Sequence, residues 1–561
     1  MAPSIEQAGH SKEAKDVAEK SNEDVELATS SSHGEGAITV ISAQVDHAGY
    51  HRKLGKRQIM MMTFGAGIGT GLWIGTGTAL KYAGPGGIAV AYTIVSIIVF
   101  LQYMSIGELT AYKPVHGGFI RQAHEYVDPA CAFAEGINFW FEWVMIIPAE
   151  ITAAISVLKF WPQTEAVQTA GYITIFLTVI VFVNVFPVKF YGTVEYCMSF
   201  VKIGAIFVMI FFLFIMASGG IPATHGPLVF HYWKTNGAFK NGMKGIAKAF
   251  IQAGFSFGGA EHIAIIAGEA RDPRRTIKKT IMPIFWRMFS FFILNIWLVG
   301  MCTPDDDERL INGTGTLGSP FVIAIERANA MWLAHIINGF IFLTVISCGI
   351  TSVYIASRSL SALSDIKLIH PFFGNKDSRG RPYVSLSITC VLGGGLCYLN
   401  CNDTAAVVYS WFSALVAISA LCQWAVIYLT HIQFRRGLKA QGIDYKTLPF
   451  VAPFAPYAQY LGLVIVFFIF GCEFYLSVWP FGERPSAAGF FSSYLAVPLF
   501  IFDYFAYKIY YKTKIVKPSE MDFSEAKAFD EEDRIRAATE VEIKETKPRA
   551  WFRHAKNAVF G

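Results

Sequence analysis

Six glycines fall within residues 59–80, a stretch that reads IMMMTFGAGIGTGLWIGTGTAL and carries no charge. It is long enough to cross a bilayer as a helix. Yet Gly65, Gly67, Gly69, Gly71, Gly75 and Gly77 crowd its middle and outer part. Each glycine weakens a helix by about 1 kcal/mol relative to alanine, so the crowding predicts a helix that breaks at membrane depth. Hydrocarbon cannot satisfy the freed N–H and C=O groups, and a bound polar solute is the natural partner. Residues 246–268, IAKAFIQAGFSFGGAEHIAIIAG, repeat the pattern: Gly254, Gly258 and Gly259 fall mid-span with Glu261 beside them. Interrupted apolar segments at matching places in two halves of a chain point to a transporter site. The competing reading is close helix packing through small residues, which the spacings Gly65 to Gly69 and Gly67 to Gly71 also fit. A phosphate-binding glycine loop does not fit, because no G-x-G-x-x-G register falls in 65–77 and no strand precedes it.

The rest of the chain agrees with a membrane setting. It is 53% hydrophobic and only 16% charged, against about 25% charged in soluble domains. Twelve apolar spans are predicted, at 59–80, 87–107, 132–158, 170–188, 197–217, 246–268, 281–303, 332–356, 384–400, 405–430, 459–480 and 489–508. A polar tail (1–50) precedes this transporter domain (51–508) and a charged tail (509–561) follows it; no signal peptide is expected in the first. With the N-terminus inside, the inner loops hold 17 Lys and Arg and the outer loops 8, so both termini are expected on the cytoplasmic side. Asp305–Glu308 and the sequon Asn312-Gly313-Thr314 then fall outside, as does a second sequon at Asn402. Spans 1–5 and 6–10 form two blocks of similar length. An odd number of spans per block gives the two opposite orientations, an inverted repeat, with spans 11 and 12 as additions. The nine cysteines show no zinc or disulfide spacing, and neither a metal nor a cofactor is expected. A net charge of +5 gives no reason to expect a nucleic-acid partner.

Charges at mid-bilayer cost at least about 2.5 kcal/mol each and are functional by default. Glu150 lies deep in span 3, Glu261 beside the second break and Lys202 inside span 5. Glu261 has an alternative role, capping loose N–H groups of the interrupted helix. Lys202 has one too, snorkelling to the interface. Glu142, Glu108, Arg287 and Glu473 sit nearer span ends or at depths the sequence does not fix, and His262 reads as a buried, hydrogen-bonded histidine.

At this point the residues resemble a known family. GAGIGTGLWIGTGTAL followed by AGPGG is similar to the first-span motif of fungal amino-acid permeases, within the amino acid–polyamine–organocation superfamily. FSFGGAEHIAIIAGEARDPRRTIKKT, TSVYIASRSLSALS, THIQFRRGLKAQG and TKIVKPSEMDF resemble later family segments in the right order. The resemblance implies a LeuT-like fold and proton-driven uptake of amino acids at the plasma membrane. It implies that Gly69, Thr70 and Gly71 clamp the substrate carboxylate by backbone N–H groups at a half-helix N-terminus. Gly67, Ile68, Phe255, Ser256 and Gly258 would receive its ammonium, with Phe255 also an aromatic gate. Glu150 and Glu261 join them as substrate-site acids. Lys202, with Glu150, is implied as the proton-coupling group, bracing span 1 against span 8.

The resulting expectation is an all-α polytopic membrane protein with twelve transmembrane helices, a LeuT-like 5+5 inverted repeat and two extra helices. Spans 1, 3, 6 and 8 line the site, and 416–419 in span 10 is the place for selectivity. By depth alone, a Cβ at Gly69 or Gly71 should do more harm than one at Gly77. The partners are an amino acid, a proton and membrane lipid, with Lys12, Lys15 and Lys20 resembling acceptor lysines for ubiquitin ligase adaptors. Residues 268–275 are either an inner gate or a solvated basic loop. The rival reading from another class is a permease-like amino-acid sensor with little flux; an enzyme would need a catalytic set, and none is visible.

Overall fold

The computed structural model describes residues 60–534 apart from 62, 64, 66, 116, 260, 268–272, 314–317, 378–379, 402–404, 483, 528 and 532. The tail 1–50 with its lysines, Gly268-Glu269-Ala270, the sequon at Asn402, Thr314 of the other sequon, the side chain of His262 and the tail beyond 534 lie outside what is described. Among the described residues every regular element is a helix. Eight of them are long and apolar enough to cross a membrane.

The first expected span is interrupted where its glycines crowd. The described residues between 60 and 65 are helical, 67–69 are not, and the chain resumes as a π-helical turn at Gly71–Gly75. That turn runs on into α1 (Thr76–Tyr112), which also holds the second expected span. The two are separated by a kink at Gly84, whose φ of 73° is a left-handed value that glycine tolerates, followed by Pro85. Short α2 (Gly118–Tyr126) leads into α3 (Pro129–Leu158), whose N-terminus is capped by Asp128 accepting from the N–H of Ala130. Then come α4 (Thr169–Val185), only 17 residues long, and α5 (Val188–Ala217).

In the second half, a short α6 (His231–Thr235) precedes α7 (Gly242–Phe257) and α8 (His262–Ala267), the two pieces of the sixth expected span. Gly258 is extended and Gly259 has a φ of 93°. The remainder is α9 (Pro273–Cys302), the small α10 (Glu308–Asn312) and α11 (Pro320–Arg327), then α12 (Met331–Asp365), α13 (Tyr383–Cys397), α14 (Ala405–Ala440), α15 (Tyr457–Val478), α16 (Ala487–Tyr494) and α17 (Ala496–Tyr511). The twelfth expected span is thus two consecutive helices.

α3 forms the axis of the bundle, packed most extensively on α12 and α14, while α1 packs on α7 and α9. The faces left outward carry Phe, Val, Leu and Ile, such as Phe211, Phe214, Phe467 and Phe502, as expected of helices that meet lipid.

Two expectations are corrected. Residues 189–195 read as a loop, but α5 already begins at Val188. The polar residue that breaks the hydropathy there, Glu195, is buried among partners described below. And the C-terminal tail does not simply leave the membrane. Met521, Phe523 and Ala526 fill an apolar cluster with Leu109, Tyr112, Tyr126, Phe434 and Leu438. The Val516 N–H donates to Val127 O at 2.9 Å. Arg274 is 5% exposed and donates to Tyr112 O at 2.6 Å, to Ala526 O at 3.2 Å and to Asp530 at 2.6 Å. Of the two readings of 273–275, a solvated loop does not hold for Arg274.

Candidate functional site

The two interruptions meet. A Cβ built on Gly71 would lie 2.6 Å from Ser256 Cα, so the backbones of the first-span turn and α7 touch. Only glycine allows that approach. Tyr92, on the second half of α1, shares a hydrogen bond with Ser256 Oγ at 3.0 Å, and Ser256 Oγ donates to Gln252 O at 2.7 Å. Ser319 Oγ donates to Trp73 O at 2.6 Å, supplying a side-chain partner to the π-helical turn.

Glu150 of α3 reaches the first break. Thr70 Oγ1 donates to Glu150 Oε1 at 3.0 Å, and the Cys348 thiol of α12 is a further hydrogen-bond partner. Glu150 is 2% exposed, and its second oxygen has no partner. A Cβ on Gly69 would sit 3.1 Å from Glu150 Oε1 and 3.2 Å from Cys348 Sγ. So Gly69, Thr70 and Glu150 form one wall, with Gly67 and Ile68 buried immediately before them. Phe255 packs edge-on against Tyr409 of α14, ring centroids 6.0 Å apart. Nothing in the sequence had singled out Tyr409.

Lys202 lies about midway along α5 and is 1% exposed. The snorkelling alternative does not apply. Its Nζ donates to Gly65 O at 2.8 Å and to Glu195 Oε1 at 3.0 Å. Ser347 Oγ of α12 donates to the other oxygen of Glu195 at 2.6 Å. Ser199 Oγ donates to Met61 O at 2.8 Å. The first-span carbonyls of Met61 and Gly65 are thus held from α5, and α5 is held to α12. Glu195 is the residue sequence reasoning missed. Its signal was the i, i+7 spacing to Lys202, which sets the two on one helix face.

Glu261 is placed differently from Glu150. Its Oε1 accepts from Gln102 Nε2 at 2.7 Å and from the Trp424 indole, and the backbone N–H groups of Gly259 and Glu261 are further partners. These contacts close the second break from behind, which is the capping role. Gly258, where a Cβ would have no contact nearer than 3.5 Å, leaves room at the turn. Residues 416–419 are buried in the core of α14, where Ser419 O accepts from Asn138 of α3 at 3.0 Å. Of the span-end acids, Glu108 is ion-paired with Arg435, whose Nε lies 2.6 Å away, and accepts from the Ala452 N–H at 2.6 Å. Arg287 is exposed on the apolar face, consistent with snorkelling.

The family model described as amino acid permease matches residues 58–519. The chain is 33% identical over 527 residues to the general amino-acid permease GAP1 of Saccharomyces cerevisiae, covering 92% of this chain and 86% of that protein. It is 33% identical over 484 residues to the cationic amino acid transporter 1 of Schizosaccharomyces pombe, covering 85% and 82%. It is 35% identical over 464 residues to the general amino-acid permease GAP2 of Candida albicans, covering 82% and 78%.

Proposed function

The chain belongs to the amino acid permease family, a multi-pass membrane protein of amino-acid transport, and we propose that it takes up amino acids with protons at the plasma membrane by alternating access. The transporter domain is read as twelve spans in a 5+5 inverted repeat with two additional helices. The meeting of the two interruptions at Gly71 and Ser256 supports that reading. The excess of Lys and Arg in the inner loops supports cytoplasmic termini.

The substrate carboxylate is received by the N–H groups of Gly69, Thr70 and Gly71, where the helix resumes and its dipole favours an anion. Carbonyls at Gly67, Ile68, Phe255, Ser256 and Gly258 face the ammonium. Glu150 adds an acid to the wall through Thr70, and Phe255 with Tyr409 closes over it. Glu261 belongs with the support of the second turn.

The observation that carries the coupling is the 2.8 Å bond from Lys202 Nζ to Gly65 O, with the Glu195–Ser347 link behind it. A buried ammonium is costly unless every donor is matched. Charged, Lys202 ties the first break to α12 through Glu195. Without its positive charge the ion pair with Glu195 and the charge-assisted bond to Gly65 O both weaken, which frees the first span to move. Substrate entry and proton occupancy then bias the same element. In proteoliposomes with an imposed pH gradient, Lys202→Met should still bind amino acid but lose gradient-driven accumulation. Full accumulation with intact pH dependence removes Lys202 from the mechanism.

A further inference from the structure

One turn outward from the break, a cavity of about 410 Å³ opens between α1, α7, α14, α15 and α16. It is large enough for a small solute, since ligand pockets run from about 300 Å³ upward. Lys248, Gln252, Glu473 and Ser477 are among the residues that line it. Three of these are nearly sealed from solvent and still lack partners. Glu473 is 3% exposed, Gln252 5% and Ser477 5%. One Glu473 carboxylate oxygen, the Gln252 Oε1 and the Ser477 hydroxyl have no hydrogen-bond partner. Buried polar groups are nearly always satisfied, and each exception calls for an explanation.

The chemistry of the set is that of a zwitterion's two ends. Glu473 and Gln252 Oε1 are acceptors. Lys248 and the Ser477 hydroxyl are donors. Lys248 lies near enough to Glu473 for their charges to interact, yet no ion pair within 4 Å joins them among the described residues. A carboxylate and an ammonium that line one cavity without pairing leave both charges to meet the opposite charges of a ligand. Lys248, Gln252 and Ser256 follow at i, i+4 and i+8, so they share one face of α7. Eight residues of helix span about 12 Å. The cavity thus extends outward of Ser256 and Gly71 from the level of Ile74 and Tyr409, which also line it.

We infer that this cavity is an outer subsite that holds an incoming amino acid, its ammonium on Glu473 and its carboxylate on Lys248, before it descends to the break. The inference rests on the transport reading above and adds a second binding place to it. Gln252 belongs to the way down: a Cβ on Gly75 would lie 2.9 Å from its Oε1, so its amide stands between cavity and break.

The test is binding stoichiometry. Full-length protein in lipid nanodiscs is titrated to saturation with a tritiated mixture of the twenty protein amino acids. Two molecules per chain are expected for the unaltered protein and one for Glu473→Gln or Lys248→Met. Gly69→Ala, which blocks the break, should also leave one, and the double variant Gly69→Ala with Glu473→Gln should bind none. In uptake, Glu473→Gln should raise KM about tenfold to a hundredfold with Vmax unchanged, as for loss of one charge-assisted hydrogen bond. One molecule per chain, unaffected by Glu473→Gln and abolished by Gly69→Ala, overturns the outer subsite and leaves the transport reading standing. No binding to the unaltered protein overturns both.

Discussion

Alanine at the first-span glycines separates packing from binding. At Gly71 the new Cβ would stand 2.6 Å from Ser256 Cα and 3.0 Å from its N. Those are backbone atoms of α7, and no rotamer change relieves them. Overpacking of this kind costs about 1–3 kcal/mol, offset by about 1 kcal/mol of helix propensity. The net is a loss of about 2 kcal/mol at most, together with a parting of the two breaks. At Gly77 the Cβ would press on Gly318 O, again backbone. Gly77 should therefore be no milder than Gly71, contrary to a ranking by depth. At Gly69 the neighbours are the ends of two side chains, Glu150 Oε1 at 3.1 Å and Cys348 Sγ at 3.2 Å. These can yield by a few tenths of an ångström, so Gly69→Ala should fold with near-normal stability while narrowing the space beside Thr70. Gly395 in α13 has nothing within 4 Å of its Cβ position, so Gly395→Ala should stabilise by up to about 1 kcal/mol. The assay pairs thermal unfolding in detergent, read by size exclusion, with uptake normalised to surface expression. Gly71→Ala and Gly77→Ala should melt early, Gly395→Ala late, and Gly69→Ala as the parent but with at least about tenfold lower uptake, or ~1.4 kcal/mol. Normal uptake by Gly69→Ala refutes the placement of substrate at the first break.

Two further outcomes follow from the geometry. Glu150→Gln keeps the shape but replaces an acceptor of the Thr70 hydroxyl and Cys348 thiol, and should lower uptake sharply; a loss confined to basic amino acids would mean the acid reads side-chain charge, and unchanged uptake would remove it from the wall. For the docked tail, burial raises the Glu525 carboxyl, but the hydrogen bond from Lys113 and the charges of Lys113 and Arg121 outweigh it and hold it below its usual range. A lowered carboxyl stabilises above the unfolded value of about 4.3 and loses its effect as pH falls through the folded one, so limited proteolysis of residues 513–534 should be slow and equal at pH 5 and 7 and quicken only below about pH 4. Protection that fades between pH 7 and 5 would show that another group governs docking.

Much of this was legible because glycine and charge are conspicuous in an apolar chain. Six glycines in 59–80 mark the first break, and Gly258, Gly259 and Glu261 the second. What the sequence could not show is which atoms face each break. Glu150 and Glu261 look alike as carboxylates beside small residues. Yet one reaches Thr70, while the other ties Gln102 and Trp424 behind the turn. That distinction depends on how α3, α1 and α14 rotate about their axes, which hydropathy leaves open. Span boundaries failed for a related reason. Glu195 reads as the end of a loop because a lone carboxylate is costly in a membrane. Its partners, Lys202 and Ser347, lie seven and 152 residues away.

The same reasoning explains why the outer cavity escaped notice. Glu473 sits in an otherwise apolar helix, and its depth was uncertain from sequence. Lys248 falls in the first turn of the span expected at 246–268, where a lysine draws no notice. Only the packing of α7 against α15 brings them to one cavity. Glu108 is the contrast. It too is a buried acid near a span end, but it is ion-paired with Arg435 and accepts from the Ala452 N–H. An acid paired with a cation of the protein in this way holds α1 to α14. An acid with an oxygen still unpaired, facing a cavity with a cation across it, retains an acceptor. The difference between a structural carboxylate and a binding one in this chain therefore lies in what the acid faces: Glu108 is paired with the Arg435 cation of α14, whereas Glu473 lines a cavity without an ion pair.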